Sequence, residues 1–154
     1  LRHYFAHEFH NDDRYRDVLE FRAALEWGFG PLTAARMDDD GLRALRDVLD
    51  GVAAADPAAV DLFSAEIRFH TLLVQAAGNP LAGLFAHLYG PLFRAQATTS
   101  RFAGDPAYVP VWLAQHGKLV DALEAGDTEG FLEQLRRHTL QYMRWPDGTN
   151  GENA

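Results

Sequence analysis

The chain has 154 residues, 47% hydrophobic and 23% charged, with no cysteine and a formal net charge of −8. These values describe one globular domain and exclude disulfides, thiolate zinc sites and a nucleic-acid interface built on clustered Lys and Arg. Apolar runs are far shorter than a bilayer span, so no membrane segment is expected, and the absence of cysteine favours a cytoplasmic protein.

Residues 1–13 mix aromatics with His3, His7 and His10 and end in Asn11-Asp12-Asp13, which reads as a linker or arm ahead of the folded domain. From Arg14 to Arg36, Val18, Leu25, Phe29 and Leu32 recur at helical spacing, and Arg22 falls among them. Two readings of Arg22 stand: an i,i+4 pair with Glu26 near the surface, or a buried guanidinium kept for an anion. Gly28, Gly30 and Pro31 are expected to kink or split this helix. Asp38-Asp39-Asp40 caps a second helix whose Leu42, Leu45, Leu49 and Val52 face inward.

A third helix is expected from Asp56-Pro57 to Gly78. It carries Glu66 and His70 one turn apart on the stripe formed by Phe63, Ile67, Val74 and Ala77, so both polar groups face the core and require partners. Asn79-Pro80 opens a fourth helix with Leu81, Leu84, Phe85, Leu88 and Leu92 as its core, bent at Gly90-Pro91 and followed by Arg94 and Gln96. After a polar turn, Asp105-Pro106 begins a fifth helix ending near Gly126, with His116 among Trp112, Leu119 and Leu123. Asp127 caps a last helix to about Trp145, with His138 among Phe131, Leu135 and Tyr142, and residues 146–154 read as a disordered tail. The fold class is therefore an all-α antiparallel bundle of about six helices, occupying residues 14–145 around a central ligand or metal cavity.

A single inward histidine is usually a hydrogen-bonded core residue, whereas three on separate helices with Glu66 suggest one metal site. A mononuclear metalloenzyme could use the same ligands. The di-iron carboxylate class asks for paired Glu-x-x-His, and this chain has only an acid and a histidine four apart.

The chain resembles the C-terminal effector-binding domain (FCD) of FadR-type regulators in the GntR family. The resemblance lies in Phe69-His70 followed by Ala77-Gly78-Asn79-Pro80, in LEFRAALE at 19–26, in HGKLVDALEAGD at 116–127 and in RRHTL at 136–140. It implies a homodimeric, non-enzymatic sensor of a small organic acid. DNA would be bound only through a winged helix-turn-helix preceding the arm, and no membrane is involved. It further implies a divalent cation, zinc first and nickel or another first-row ion next, on Glu66, His70, His116 and His138. The effector would lie near Arg22, Arg94, Gln96 and Asn79. The family more usually has aspartate where Glu66 stands, which leaves a direct or an outer role for Glu66. The alternatives are the metalloenzyme and a purely structural dimerisation module.

Overall fold

The computed structural model describes residues 12–87 and 105–140. Among these residues there are six α-helices: α1 (Asp12–Arg36), α2 (Asp39–Ala54), α3 (Leu62–Ala76), α4 (Pro80–Ala86), α5 (Val109–Glu124) and α6 (Thr128–Leu140), with a 3-10 turn at Pro106–Tyr108. The expected all-α class holds. The arm at 1–11, the segment 88–104 with Leu88, Leu92, Arg94 and Gln96, and residues 141–154 with Tyr142 lie outside the described residues.

α1 packs on α3 and α6, α3 on α2, α2 on α5, and α5 on α6, while α4 rests against α3. Five helices thus close into a ring. One apolar cluster joins Leu45, Val48 and Leu49 of α2, Phe69 and Leu73 of α3, Trp112, Leu119 and Val120 of α5, and Phe131 and Leu135 of α6. A smaller one joins Leu19 and Ala23 of α1, Val74 of α3, and Ala82 and Ala86 of α4.

Asp side chains set the starts of α2, α3 and α6. Asp38 accepts from Gly41 N, Asp61 from Ser64 N, and Asp127 from Gly130 N, satisfying first-turn N–H groups that have no helical partner. Asp61, not Asp56, caps α3, so the helix starts later than Asp56-Pro57 suggested. Asp56 instead accepts from Ala58 N in a turn preceding it. α3 ends at Ala76 with Ala77 as its C-cap, and Gly78 beyond it takes a φ of 65°, the left-handed conformation that closes a helix; Arg36 Nη1 donates to Ala77 O at 2.6 Å over the same end.

α1 departs from expectation in two ways. It runs unbroken through Gly28, Gly30 and Pro31, because both flanks are held: Trp27 Nε1 donates to Thr139 Oγ1 of α6 at 2.7 Å, and Thr33 Oγ1 to Leu73 O of α3 at 2.9 Å. Proline removes one donor, and this packing offsets that loss. The buried stripe is also rotated, comprising Leu19, Arg22, Ala23, Glu26 and Thr33, with Leu25, Phe29 and Leu32 only half-buried at its edge; Val18's side chain lies outside the described residues. α4 is likewise inverted. Leu81, Leu84 and Phe85 are 67%, 61% and 43% exposed, and the small Ala82 and Ala86 face the core. Seven residues offer one narrow inner face, and the alanines allow α4 to approach closely.

Two glycines of α1 separate helix propensity from packing. A Cβ on Gly28 meets nothing within 4 Å, whereas one on Gly30 would lie 2.8 Å from Leu132 Cδ2. Gly28→Ala should therefore stabilise the domain by about 0.5–1 kcal/mol, and Gly30→Val should destabilise it by about 1–3 kcal/mol through overpacking against α6. Urea unfolding of both variants checks the opposed signs.

Candidate metal and effector site

Four helices of the ring aim polar side chains at one point. Glu66 and His70 come from α3, His116 from α5 and His138 from α6, and one ligand atom from each lies within 4.8 Å of the others. α1 supplies Arg22 and Glu26 beside them. α2 closes the ring with apolar residues alone. All three histidines, Arg22 and Glu26 are buried, while the Glu66 side chain keeps 18% exposure and is the opening of the cluster toward solvent.

Glu66 is the hub. Its Oε1 is 2.8 Å from Arg22 Nη1, 3.3 Å from His70 Nε2 and 3.7 Å from His138 Nε2. Its Oε2 accepts from Trp112 Nε1 at 2.8 Å and lies 2.9 Å from His116 Nε2. His70 Nε2 and His138 Nε2 face each other at 3.0 Å, with their rings stacked at an interplanar angle of 11°. Bonds of about 2.1 Å to a common ion would place neighbouring ligand atoms about 3.0–3.4 Å apart; the contacts here run from 2.9 to 3.7 Å, and all four ligand atoms lie within 4.8 Å of one another.

Hydrogen bonding fixes the form of His116. Its Nδ1 lies 2.7 Å from Trp112 O, and a carbonyl only accepts, so Nδ1 carries the proton and the neutral ring turns its Nε2 lone pair toward the Glu66 carboxylate. That buried Nε2 has no hydrogen-bond partner. Two acceptors face each other at 2.9 Å in the interior, an arrangement that calls for a cation between them. His70 Nδ1 is 3.0 Å from Glu26 Oε1, but misaligned for a hydrogen bond.

The electrostatics follow from burial and the two carboxylates. Burial opposes ionisation of Glu26, yet Arg22 and His70 outweigh it and hold the pKa at about 2. Burial likewise opposes ionisation of Glu66, but Arg22, His70 and His116 keep it well below the usual carboxylate range. Burial pulls His138 down to about 3 and lowers His116. For His70, burial and the Arg22 charge pull downward, but Glu26 and Glu66 prevail and raise it.

Glu66, His70, His116 and His138, expected from sequence to converge, do so. Arg22 satisfies part of both earlier readings: it pairs with Glu26 at 2.8 Å, and the pair is buried rather than superficial. Its Nη1 is also occupied by Glu66. Asn79 uses its side-chain oxygen to cap α4, accepting from Leu81 N and Ala82 N. Glu26 and Trp112 were legible only as a helical ion-pair partner and a core residue. The one sequence signal for more was Glu26 standing four residues after a stripe arginine, on the same face.

With the geometry in hand, the class is a helical ligand-binding module with a buried three-histidine, one-carboxylate cluster. The FCD domain model matches residues 17–141. The chain belongs to that family, the effector-binding domain of GntR-family regulators such as the FadR type. A search of curated proteins finds no match. Among the described residues, no helix is long and apolar enough to cross a membrane.

The shifts set the acid stability of the metal-free domain. Glu26, depressed, contributes stability that is complete above its ordinary 4.5 and is lost as pH falls toward 2. His138, also depressed, contributes stability that is complete above 6.5 and is lost as pH falls toward 3. His70 has the opposite sign, its contribution being complete below 6.5 and lost as pH rises through its raised value. Between pH 6.5 and 4 the His70 contribution is already complete, while His116 and His138, both depressed, lose theirs, so Tm should fall by more than about 5 °C over that range. Calorimetry in the presence of chelator measures it, and a flat or rising Tm contradicts these assignments.

Proposed function

We propose that this domain holds one divalent cation on Glu66, His70, His116 and His138 and uses it to sense a small organic acid for a GntR-family transcriptional regulator. The observation that carries this reading is His116 Nε2, buried without a hydrogen-bond partner and 2.9 Å from a carboxylate oxygen while its Nδ1–H is committed to Trp112 O. Three imidazoles and a carboxylate suit zinc, with nickel or another first-row ion next. When bound, the ion supplies a Lewis-acidic position for an effector oxygen.

The protein's own part is to orient and to balance charge. Trp112 orients both Glu66 and His116, through its indole N–H and its carbonyl. Arg22 Nη1, now paired with Glu66 at 2.8 Å, would be the guanidinium group placed to meet an effector carboxylate, which its planar fork matches. Arg94, Gln96 and Asn79 remain the further candidate effector contacts. Residues 14–145 form the sensing domain, with 1–13 as the linker from a DNA-binding winged helix-turn-helix and 146–154 as a tail. Regulators of this kind act as cytoplasmic homodimers. The exposed Phe21, Leu81, Leu84 and Phe85 of α1 and α4, with Phe21 and Phe85 in edge contact, support a subunit interface away from the cluster. The regulatory character of the family favours a sensor over the metalloenzyme alternative.

Elemental analysis of gently purified protein should find one divalent ion per chain, reduced in both His116→Ala and His138→Ala; full occupancy in both variants contradicts the site. In a thermal-shift panel, a small carboxylate at one hundred times its Kd should stabilise the metal-loaded fold by about 2.7 kcal/mol. Chelation should abolish that shift, and Arg22→Lys, which keeps the charge but loses the fork, should weaken it. Hits confined to uncharged compounds, or hits indifferent to chelation, contradict a carboxylate sensor.

A further inference from the structure

We infer that Glu26 is a positioning residue that fixes His70 as the Nδ1–H tautomer and thereby turns its Nε2 lone pair toward Glu66, His116 and His138. The consequence for cation affinity rests on the metal reading above; the tautomer itself does not.

Glu26 lies on α1 and His70 on α3, and both side chains are 1% exposed. Glu26 Oε1 receives Arg22 Nε at 2.8 Å and stands 3.0 Å from His70 Nδ1. No better partner competes for that nitrogen, which makes no aligned hydrogen bond of its own. A carboxylate only accepts. A proton on Nδ1 therefore turns the 3.0 Å approach into an attraction, whereas the other tautomer sets a lone pair against a buried negative charge.

The opposite edge of the ring faces only the cluster, with His138 Nε2 at 3.0 Å and Glu66 Oε1 at 3.3 Å. A proton held on Nδ1 thus leaves Nε2 as the donor atom on the side where the other three ligand atoms lie. Such a carboxylate–histidine arrangement sets ring orientation and raises ligand basicity, and losing it weakens metal sites by about 10- to 100-fold. Arg22 in turn holds the Glu26 carboxylate from the α1 side, so the i,i+4 pair buried on α1 acts on the ligand carried by α3.

Two measurements test this. In the metal-free wild type, at a pH high enough that His70 is neutral, nitrogen-15 NMR should show its proton on Nδ1, with Nε2 of the lone-pair type. A zinc competition titration against a chromophoric chelator should show affinity reduced about 100-fold in Glu26→Met, which removes the acceptor, and about tenfold in Glu26→Gln, which keeps one. A His70 proton found on Nε2, or folded variants that both bind zinc within twofold of wild type, overturns the inference. If neither variant folds, the wild-type tautomer decides it. A wild type that shows Nδ1–H but takes up no zinc upholds the positioning role while refuting the metal site.

Discussion

The structure turns on the Glu66 carboxylate. It is a charged group drawn inside a helical ring, and such a group persists only where its oxygens are met from several directions. Arg22 arrives from α1, His70 from its own helix, Trp112 and His116 from α5, and His138 from α6. The contacts from α1, α5 and α6 each fix the approach of one helix to α3. The apolar clusters provide most of the burial, and the carboxylate hub adds a polar point that four helices share.

That hub is balanced only where a histidine or an added cation carries positive charge beside Arg22. With its histidines neutral, the cluster sets one guanidinium against two buried carboxylates, Glu26 and Glu66. Adding a proton to a histidine removes the excess negative charge, which burial disfavours at His116 and His138 and the two carboxylates favour at His70. On the proposed reading a divalent cation would take the place of that proton and leave one positive charge, which a monocarboxylate would neutralise. The same bookkeeping explains why an arginine is tolerated on the inner face of α1, where apolar residues were expected. On the proposed reading it would also link metal and effector, since each would supply the charge the other lacks.

Much of this was legible in the sequence, for identifiable reasons. Asp38 and Asp127 mark helix starts through local hydrogen bonds, and His116 and His138 sit among residues whose spacing leaves no ambiguity about the inward face. The errors occurred where tertiary packing overrides local pattern. Hydrophobicity pointed α1 toward Leu25 and Phe29, while the true inner face is made of Arg22, Glu26, Gly30 and Thr33, residues that bond or closely approach other helices. α4 showed its leucines to the sequence reader and its alanines to the core. Glu26 could not be placed beside His70 because 44 residues of chain separate the two, and nothing local connects α1 to α3. The tautomer of His116 depends on a carbonyl four residues earlier on its own helix, a detail visible only once the ring plane is known.

The central claim is that a single cation joins α3, α5 and α6 at Glu66. X-ray absorption spectroscopy on the zinc-loaded domain tests it most directly. The account predicts a first shell with three imidazole nitrogens at about 2.0–2.1 Å and at least one oxygen, with the imidazole signal reduced in His116→Ala. A shell of oxygen ligands alone, or an imidazole count unchanged by that substitution, would contradict it.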